Sequence, residues 1–403
     1  MMENNHAPMF VSDPTAKFSA KSDVTVISPA KVNLVLAVHE KDATGYHKAD
    51  TIMHALTLHD KVKISLLDDD KLTTICNDFQ DAEGTVYINT EASHAKAAVG
   101  AMSAEDAKAA VGAMSAEDAK AAVGAISAED AKAAVGKEAS HSEASHRTKS
   151  LPEIIVQCDE RQGIDAIEVP SQDNIAYKAA TAFFKEFGWS TLPQIPSKLI
   201  IRIEKSIPAQ AGLGGGSSNA AATLVGLAKL CNISSRHPKL PEIAANIGVD
   251  VAFFLRGSCA CMQGYGEKFS HALAPMNKNV AIIKPEGGVS TAQAYANFDS
   301  KPISISAEAK AACNTAKEAA DVKLFNNLYT AAALTNDNIE AAYEWLSARV
   351  GVENALLCGS GAAIFAICDS FAEACEIAAK AKLEGYWART TTFSTTSAMV
   401  VEK

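Results

Sequence analysis

Residues 207–230, IPAQAGLGGGSSNAAATLVGLAKL, set four glycines and two serines directly before an alanine-rich apolar run. Glycine loses more conformational entropy on ordering than other residues, but it lets the backbone take positive φ angles and approach a ligand closely. The first N–H groups of a helix have no partners within the helix, and the helix dipole makes that end attractive to anions. The segment therefore predicts a phosphate-binding loop that leads into a helix over residues 218–230.

Composition restricts the possible partners of the chain. It has 403 residues, of which 48% are hydrophobic and 21% charged, enough for two domains or for one large domain with an insertion. Its net charge of −10 leaves no basic field for nucleic acid or anionic lipid, and no run approaches the ~18 apolar residues that span a bilayer. We therefore expect a small-molecule partner, with no nucleic acid and no membrane.

The nine cysteines are scattered, and the closest pair, Cys259-x-Cys261, lacks the spacing of a zinc or redox motif. We expect plain thiols in a reducing compartment, such as the bacterial cytoplasm or a plastid. No metal site built from protein ligands is expected.

A tandem repeat interrupts the chain. The unit AKAAVGAMSAED occupies residues 95–106 and 107–118, and it recurs at 119–130 with Ile126 in place of a methionine. Such a unit is too short for a solenoid, and the glycine in each copy weakens a helix by about 1 kcal/mol relative to alanine. We expect residues 91–150 to be a low-complexity insertion that is partly helical and mostly solvated. The alternative is a segment that binds a partner.

Hydrophobic periodicity elsewhere mixes strands and helices without regular βαβ alternation, which predicts an α+β fold. The expected organisation is a disordered tail over 1–22, a first domain over 23–277 that is interrupted by the insertion 91–150, and a second domain over 278–403. The predicted strands are 24–39, 61–67, 199–208, 279–285 and one within 355–369. The predicted helices are 175–187, 218–230, 241–247, 308–320, 337–349 and 371–382.

Three kinds of phosphate loop compete for the glycine segment. A P-loop requires a lysine, but the positions after the glycines hold Ser217 and Ser218. A dinucleotide fingerprint needs a third glycine where Ser217 stands, and an acidic residue that 229–236 lacks. The pattern Pro-x-x-x-Gly-Leu-Gly-Gly-Gly-Ser-Ser instead resembles the phosphate loop of the GHMP kinases. On this resemblance, the ATP phosphates meet the backbone and both serine hydroxyls of Pro208, Ala209, Gln210, Ala211, Gly212, Leu213, Gly214, Gly215, Gly216, Ser217 and Ser218.

Five further segments narrow the resemblance to the family of 4-diphosphocytidyl-2-C-methyl-D-erythritol kinases, within the GHMP kinases. The resemblance covers about residues 24–90 and 170–395. It implies a two-domain GHMP kinase fold, with a ribosomal protein S5 domain 2-like N-terminal domain and a ferredoxin-like C-terminal domain. The segments are PAKVNL at 29–34, GYH at 45–47, GVDV at 248–251, GYGE at 264–267 and CGSG at 358–361.

The resemblance implies that Lys31 and Asp250 are the catalytic residues. Asp250 would accept the proton of the substrate hydroxyl as a general base, or act mainly as an electrostatic partner. Lys31 would orient that hydroxyl, keep Asp250 ionised and stabilise the developing charge. ATP is the expected phosphoryl donor, with Mg²⁺ held mostly by the nucleotide and water.

The resemblance also implies a substrate-binding set. Tyr46 offers an aromatic face and His47 an imidazole for a cytosine. Tyr295 is expected either as a second aromatic over that base or as a core residue, and Asn33 is expected to bond the erythritol portion or Asp250. The implied function is ATP-dependent phosphorylation of the 2-hydroxyl of 4-diphosphocytidyl-2-C-methyl-D-erythritol in the non-mevalonate isoprenoid pathway, by a monomer or weak homodimer. The alternatives are another GHMP kinase with a different alcohol, and a kinase-derived binding protein.

Overall fold

The computed structural model describes residues 23–67, 152–161, 163–164, 169–192 and 195–401. The predicted tail over 1–22 and the repeat insertion over 91–150 lie outside the described residues. Apart from Leu67, Pro152 and residues 196–198, the described residues belong to one compact unit. The fold and the site below are those of this unit.

The strands of the described chain are rich in valine, isoleucine and threonine, which suit a pleated, partly buried surface. They are β1 (Asp23–Lys41), β2 (His47–Leu67), β3 (Glu153–Glu160), β4 (Lys198–Lys205), β5 (Cys259–Gln263), β6 (Lys268–Leu273), β7 (Asn279–Lys284), β8 (Phe325–Asn326), β9 (Ala355–Leu357), β10 (Ile364–Cys368), β11 (Trp387–Thr392) and β12 (Met399–Val400).

Several helices begin at a polar side chain that accepts a bond from an otherwise unpaired N–H group, as Asn174 and Ser290 do. The α-helices are α1 (Ile175–Phe187), α2 (Gly215–Leu230), α3 (Lys239–Ile247), α4 (Val251–Arg256), α5 (Thr291–Ser300), α6 (Ala307–Thr315), α7 (Tyr329–Ala333), α8 (Asn338–Val350) and α9 (Phe371–Leu383). Short 3₁₀ helices occur at Ser171–Asp173, Trp189–Thr191, Ala319–Asp321 and Val352–Asn354. In the part of the chain that the structure describes, no helix combines the length and apolarity that crossing a bilayer requires.

The strands form two sheets. The larger sheet has the spatial order β12-β1-β2-β4-β3, with β5 paired to both β2 and β6, and β8 paired in parallel to β1. The smaller sheet has the antiparallel order β11-β7-β10-β9. The register between β1 and β2 shifts between Pro29 and Lys31 and again between Asn33 and Val35. Proline cannot donate to a strand ladder, and such irregularities redirect side chains near functional sites.

Helix α2 lies in the core of the unit, between the larger sheet and α1. Its residues from Ser218 to Ala228 are buried, so the helix is apolar on all sides rather than on one face. The side chains are small because the neighbours are close: a Cβ added at Gly226 would lie 2.6 Å from Ile64 Cδ1. The alanine-rich composition of α2 is therefore a packing requirement of this position.

The structure confirms an α+β fold, but it corrects three predicted elements. Residues 355–369 form the antiparallel pair β9 and β10 rather than one strand, because glycines at 359 and 361 turn the chain between them. The helix predicted over 308–320 ends at Thr315, and α2 begins at Gly215, three residues before the predicted start. The domain division near residue 278 stays a prediction.

Candidate active site

A cavity of about 760 Å³ lies in the compact unit, beside the first turn of α2. It is lined by loop residues 208–217, by Lys31, Asn33 and Asp250, and by Tyr265, Tyr295 and residues 359–361. Residues far apart in the chain therefore meet around one space. The cavity is the candidate active site.

The glycine loop presents unpaired N–H groups to this cavity. The first intrahelical bond of α2 runs from Ser218 N–H to Gly214 O at 2.9 Å, so the N–H groups of residues 215–217 have no partner within the helix. Gly214 has a φ of 73°, and a Cβ there would lie 2.7 Å from Phe254 Cζ and 3.1 Å from Lys31 Cε. The dipole of α2 and these N–H groups together suit a phosphate group.

The CGSG segment supports the glycine loop from the other side. Ala362 N–H donates to Gln210 O at 3.0 Å, and Ala363 N–H donates to Ala211 O at 3.1 Å. A Cβ at Gly212 would lie 1.7 Å from Cys358 O, so the two segments pack backbone against backbone. The tertiary structure thus gives a role to a segment for which sequence reasoning proposed none.

Lys31 and Asp250 lie together at the edge of the glycine loop. Lys31 Nζ is 3.5 Å from Asp250 Oδ2, and it donates to Gly212 O at 2.9 Å. The irregular register of β1 leaves Lys31 N–H to donate to Leu213 O at 3.0 Å, which fixes the backbone beside the loop. Asp250 precedes α4, but its side chain makes no capping bond with that helix. The carboxylate is therefore available to Lys31 and to the cavity.

The side chain of Asn33 bonds to Lys31 and orients its ammonium group. Its Oδ1 accepts from Lys31 Nζ at 2.7 Å, and its Nδ2 donates to Thr51 Oγ1 at 2.8 Å. Thr51 in turn donates to Val35 O at 2.6 Å. The hydrogen bonds of Asn33 thus join it to Lys31 and Thr51, and a bond to the erythritol portion or to Asp250 stays a prediction.

Ser218 does not present its hydroxyl to the cavity. The side chain is fully buried, and its Oγ accepts from Ser28 Oγ at 2.8 Å, whereas Ser217 lines the cavity. Successive residues of a helix point about 100° apart, so the two adjacent serines face different surroundings. The expectation that both hydroxyls reach a phosphate is wrong for Ser218.

Lys205 is a cavity-lining cation that sequence reasoning missed. It forms an ion pair with the fully buried Asp60, and its Nζ donates to Asn219 Oδ1 at 3.0 Å. A Cβ at Gly215 would lie 3.4 Å from Lys205 Nζ, so the ammonium group is close to the start of α2. A lysine directly before a phosphate loop is a visible signal, but nothing local identifies Asp60 as its partner.

Asp60 also fixes the chain that enters the loop. Its Oδ1 accepts from Ser206 N–H at 2.6 Å and from Ile207 N–H at 2.9 Å. Its Oδ2 accepts from Asn219 Nδ2 at 3.0 Å. One carboxylate therefore connects the segment before the glycine loop with the helix after it.

Aromatic side chains gather at another part of the cavity wall. Tyr295 lines the cavity, and its ring centroid is 5.2 Å from that of His47, whose side chain is only 6% exposed. Burial first, and the charge of Asp250 second, raise the pKa of Tyr295 to about 12, so its hydroxyl stays protonated at neutral pH. Tyr46 is 69% exposed and does not line the cavity, but its ring packs edge-on against Tyr265.

Tyr265 is a second residue that sequence reasoning quoted without a role. It lines the cavity, and its hydroxyl donates to Asp42 Oδ2 at 2.9 Å. Hydrogen bonds from Thr44, and secondarily those from Tyr265 and Tyr46, lower the pKa of Asp42 to about 2. Asp42 is thus ionised and orders the turn that carries Tyr46.

Comparison with known proteins identifies the family. Residues 174–258 match the GHMP kinases N terminal domain, and residues 310–386 match the GHMP kinases C terminal family. The 4-diphosphocytidyl-2-C-methyl-D-erythritol kinase of Desulfitobacterium hafniense is 36% identical over 211 residues, which are 51% of this chain and 71% of that protein. The enzymes of the same name from Bacillus cytotoxicus and Bacillus cereus are 43% and 44% identical over 127 residues, 32% of this chain and 42% of each protein.

Solved structures agree on the fold. The crystal structure of 4-(cytidine 5'-diphospho)-2C-methyl-D-erythritol kinase matches with a TM-score of 0.55 at 21% identity, over 92% of this chain and all of that one. The homoserine kinase from Cytophaga hutchinsonii matches with a TM-score of 0.55 at 14% identity, over 95% of this chain and 98% of that one. The fold, the glycine loop and the identity to the Desulfitobacterium protein over 71% of its length show that the chain belongs to the 4-diphosphocytidyl-2-C-methyl-D-erythritol kinase family of the GHMP kinases.

Proposed function

We propose that this kinase transfers the γ-phosphoryl group of ATP to the 2-hydroxyl of 4-diphosphocytidyl-2-C-methyl-D-erythritol, giving the 2-phosphate and ADP in the non-mevalonate isoprenoid pathway. The observation that carries the proposal is that one cavity holds both the glycine loop and the Lys31–Asp250 pair. The substrate is that of the kinases to which this chain is similar.

The ATP phosphates bind at the glycine loop. Phosphoryl transfer asks the protein for positioning and charge neutralisation more than for covalent chemistry. The free N–H groups of residues 215–217 and the dipole of α2 supply donors, the Ser217 hydroxyl adds another, and Lys205 adds a positive charge. Residues 208–214 shape the loop around the phosphates.

Asp250 and Lys31 act on the acceptor hydroxyl. Asp250 accepts the hydroxyl proton as the oxygen attacks, an effect worth about 10²–10⁴ in rate. Lys31 lies 3.5 Å from this carboxylate and stabilises the negative charge that develops on the transferred group. Asn33 holds Lys31 in place through its amide oxygen.

Magnesium is proposed as the ion that accompanies ATP. The described residues contain no group of three or more His, Cys, Asp or Glu side chains suited to holding an ion. An ion of this kind is bound mostly by phosphate oxygens and water, and Asp250 and Ser217 in the cavity wall offer it protein oxygens. When bound, the ion neutralises phosphate charge.

The cytidine end of the substrate is assigned to the aromatic part of the wall. Tyr295 faces the cavity and is backed by His47, while Tyr46 stands exposed beside Tyr265. An aromatic face suits a pyrimidine ring by offset stacking. Tyr295 therefore serves as the second aromatic over the base rather than as a core residue.

We further propose the wider setting of the enzyme. It works as a monomer or weak homodimer in a reducing compartment, bacterial cytoplasm or plastid, and binds neither nucleic acid nor membrane. Its catalytic domain covers 23–277 and its second domain 278–403.

ATP consumption by the purified protein with Mg²⁺ and the cytidylyl substrate tests the proposal, alongside Asp250→Asn. We expect turnover in the wild type and a loss of at least about 10² in kcat in the variant. Asp369→Asn is the matched control, since Asp369 pairs with Lys278 on the surface. If a folded wild type binds ATP but turns over only mevalonate, homoserine or another alcohol, that alcohol becomes the proposed substrate. If it turns over no alcohol, a kinase-derived binding protein is favoured.

A further inference from the structure

We propose that Asp299, on helix α5, is a positioning residue for substrate binding that acts through His47. The inference rests on the proposed function, because it assigns Asp299 to the cytidine end of the same cavity. Asp299 does not line the cavity itself. Its effect is to hold the ring that supports the cavity wall.

The carboxylate of Asp299 has two basic partners. Asp299 Oδ1 lies 2.9 Å from His47 Nε2, and Asp299 Oδ2 lies 2.6 Å from Lys41 Nζ. The hydrogen bond from Lys41 is the main cause that lowers the pKa of Asp299, and the electrostatic attraction of both basic side chains adds to it. Asp299 is therefore a fixed anion that connects α5 with the end of β1 and the start of β2.

Both ring nitrogens of His47 face acceptors. His47 Nδ1 lies 2.8 Å from His39 O, and Nε2 lies 2.9 Å from the Asp299 carboxylate. The first contact is a hydrogen bond, whereas the second has the distance of an ion pair without the geometry of a hydrogen bond. The His39 carbonyl and the Asp299 carboxylate therefore contact the ring at its two nitrogens and restrict its orientation.

Helix α5 packs on His47 with one face. Tyr295, Phe298 and Asp299 are spaced i, i+3 and i+4, which places their side chains together on one side of a helix. The ring centroids of Tyr295 and Phe298 are 5.2 Å and 5.7 Å from that of His47. Tyr295 lines the cavity and Asp299 does not. Asp299 therefore contacts His47, and His47 contacts Tyr295 in the cavity wall.

The alternative is that Asp299 forms only a surface ion pair with Lys41 and has no effect on substrate binding. Exposed lysine–carboxylate pairs contribute little, and Lys41 is 50% exposed. The His47 side chain is only 6% exposed, however, and it sits between Asp299 and the cavity wall. Loss of the carboxylate would therefore free a buried ring that supports a substrate-facing residue, rather than a surface side chain.

The test measures KM for each substrate together with kcat. In Asp299→Asn we expect KM for the cytidylyl substrate to rise roughly tenfold, with KM for ATP and kcat changed less than about twofold. His47→Gln should show the same split. The double variant should be no worse than either single variant, because the two residues act as one unit. Asp369→Asn, in the surface pair with Lys278, should leave all three constants unchanged.

The inference is overturned if Asp299→Asn alters kcat or KM for ATP as much as KM for the cytidylyl substrate, if it changes none of them, or if the two single effects add. Failure of this inference can be distinguished from failure of the proposed function. If the wild type does not turn over this substrate, the quantity measured in place of KM is the affinity for cytidine 5'-diphosphate in the presence of saturating ADP. Asp299→Asn must then weaken that binding roughly tenfold, and unchanged binding rejects the inference.

Discussion

The ammonium group of Lys31 lies 3.5 Å from a carboxylate oxygen of Asp250 and donates to the carbonyl oxygen of Gly212 in the glycine loop. One side chain from β1 therefore touches both the proposed base and the backbone that is proposed to hold ATP. Lys31 is only 4% exposed at its side chain, so the charge acts at low local dielectric. The proposed proton acceptor and the proposed phosphate loop therefore both contact one cation.

Replacing this cation should remove catalysis while leaving the fold intact. Lys31→Met keeps the apolar stem but loses the charge, and we expect kcat to fall by about 10²–10³ because a donor to the developing negative charge is lost. Steady-state kinetics should show this fall, and ADP binding by calorimetry should change little. A fall in kcat of less than tenfold would show that Lys31 is not needed for the chemical step.

Gly214 should not tolerate a side chain, whereas Gly216, two residues later, should tolerate one. Gly214 has a φ of 73°, and a Cβ there would lie 2.7 Å from Phe254 Cζ, so we expect Gly214→Ala to lower the free energy of unfolding by about 1–3 kcal/mol. At Gly216 the closest atom to an added Cβ is Ile175 Cγ2 at 3.6 Å. Gly216→Ala, within the helix, should be neutral or stabilising by up to about 1 kcal/mol. Urea unfolding of both variants checks the contrast, and equal losses would contradict it.

The buried pair of Asp60 and Lys205 should be costly to break from one side. Asp60 is fully buried, and Lys205→Met would leave its carboxylate with neutral donors only, at an expected loss of about 3 kcal/mol in unfolding free energy. Adding Asp60→Asn to Lys205→Met should recover part of the loss, because the uncompensated charge is removed. Denaturant titration of the single and double variants measures the coupling. Strictly additive losses would mean that the pair does not act as a pair.

His54 should make stability depend on pH. The residue is fully buried on β2, its Nε2 accepts from Met276 N–H at 2.9 Å, and burial lowers its pKa to about 4 from 6.5. The unfolded chain then binds more protons than the folded one below pH 6.5, so unfolding free energy falls as pH drops from 6.5 toward 4. The full contribution is up to about 3 kcal/mol.

The variant His54→Gln isolates this contribution, because glutamine offers Met276 N–H an acceptor that does not titrate. Unfolding free energy measured between pH 4 and pH 7 should depend less steeply on pH in the variant than in the wild type. Equal slopes in the two proteins would assign the pH dependence to other groups.

Local pattern was sufficient for much of the fold and for part of the site. The helix at 175–187 matches α1, and the predicted strand at 24–39 lies within β1. Elements with weaker signals were missed, including β5, β6 and α5, because short or irregular segments depend on their neighbours for burial. The strand predicted over 355–369 was split by a turn whose glycines pack against the phosphate loop.

The sequence by itself determined the family, the glycine loop and the helix behind it, since these signals are contiguous and follow from the backbone freedom of glycine and the small volume of alanine. Only the tertiary structure decided where each side chain points. Ser218 faces Ser28 rather than the cavity, Asn33 bonds Lys31, and Asp60 meets Lys205 across the fold. The contacts Ser28–Ser218 and Asp60–Lys205 join residues far apart in the sequence, because packing of the larger sheet against α2 and pairing of β2 with β4 bring them together only when the chain is folded.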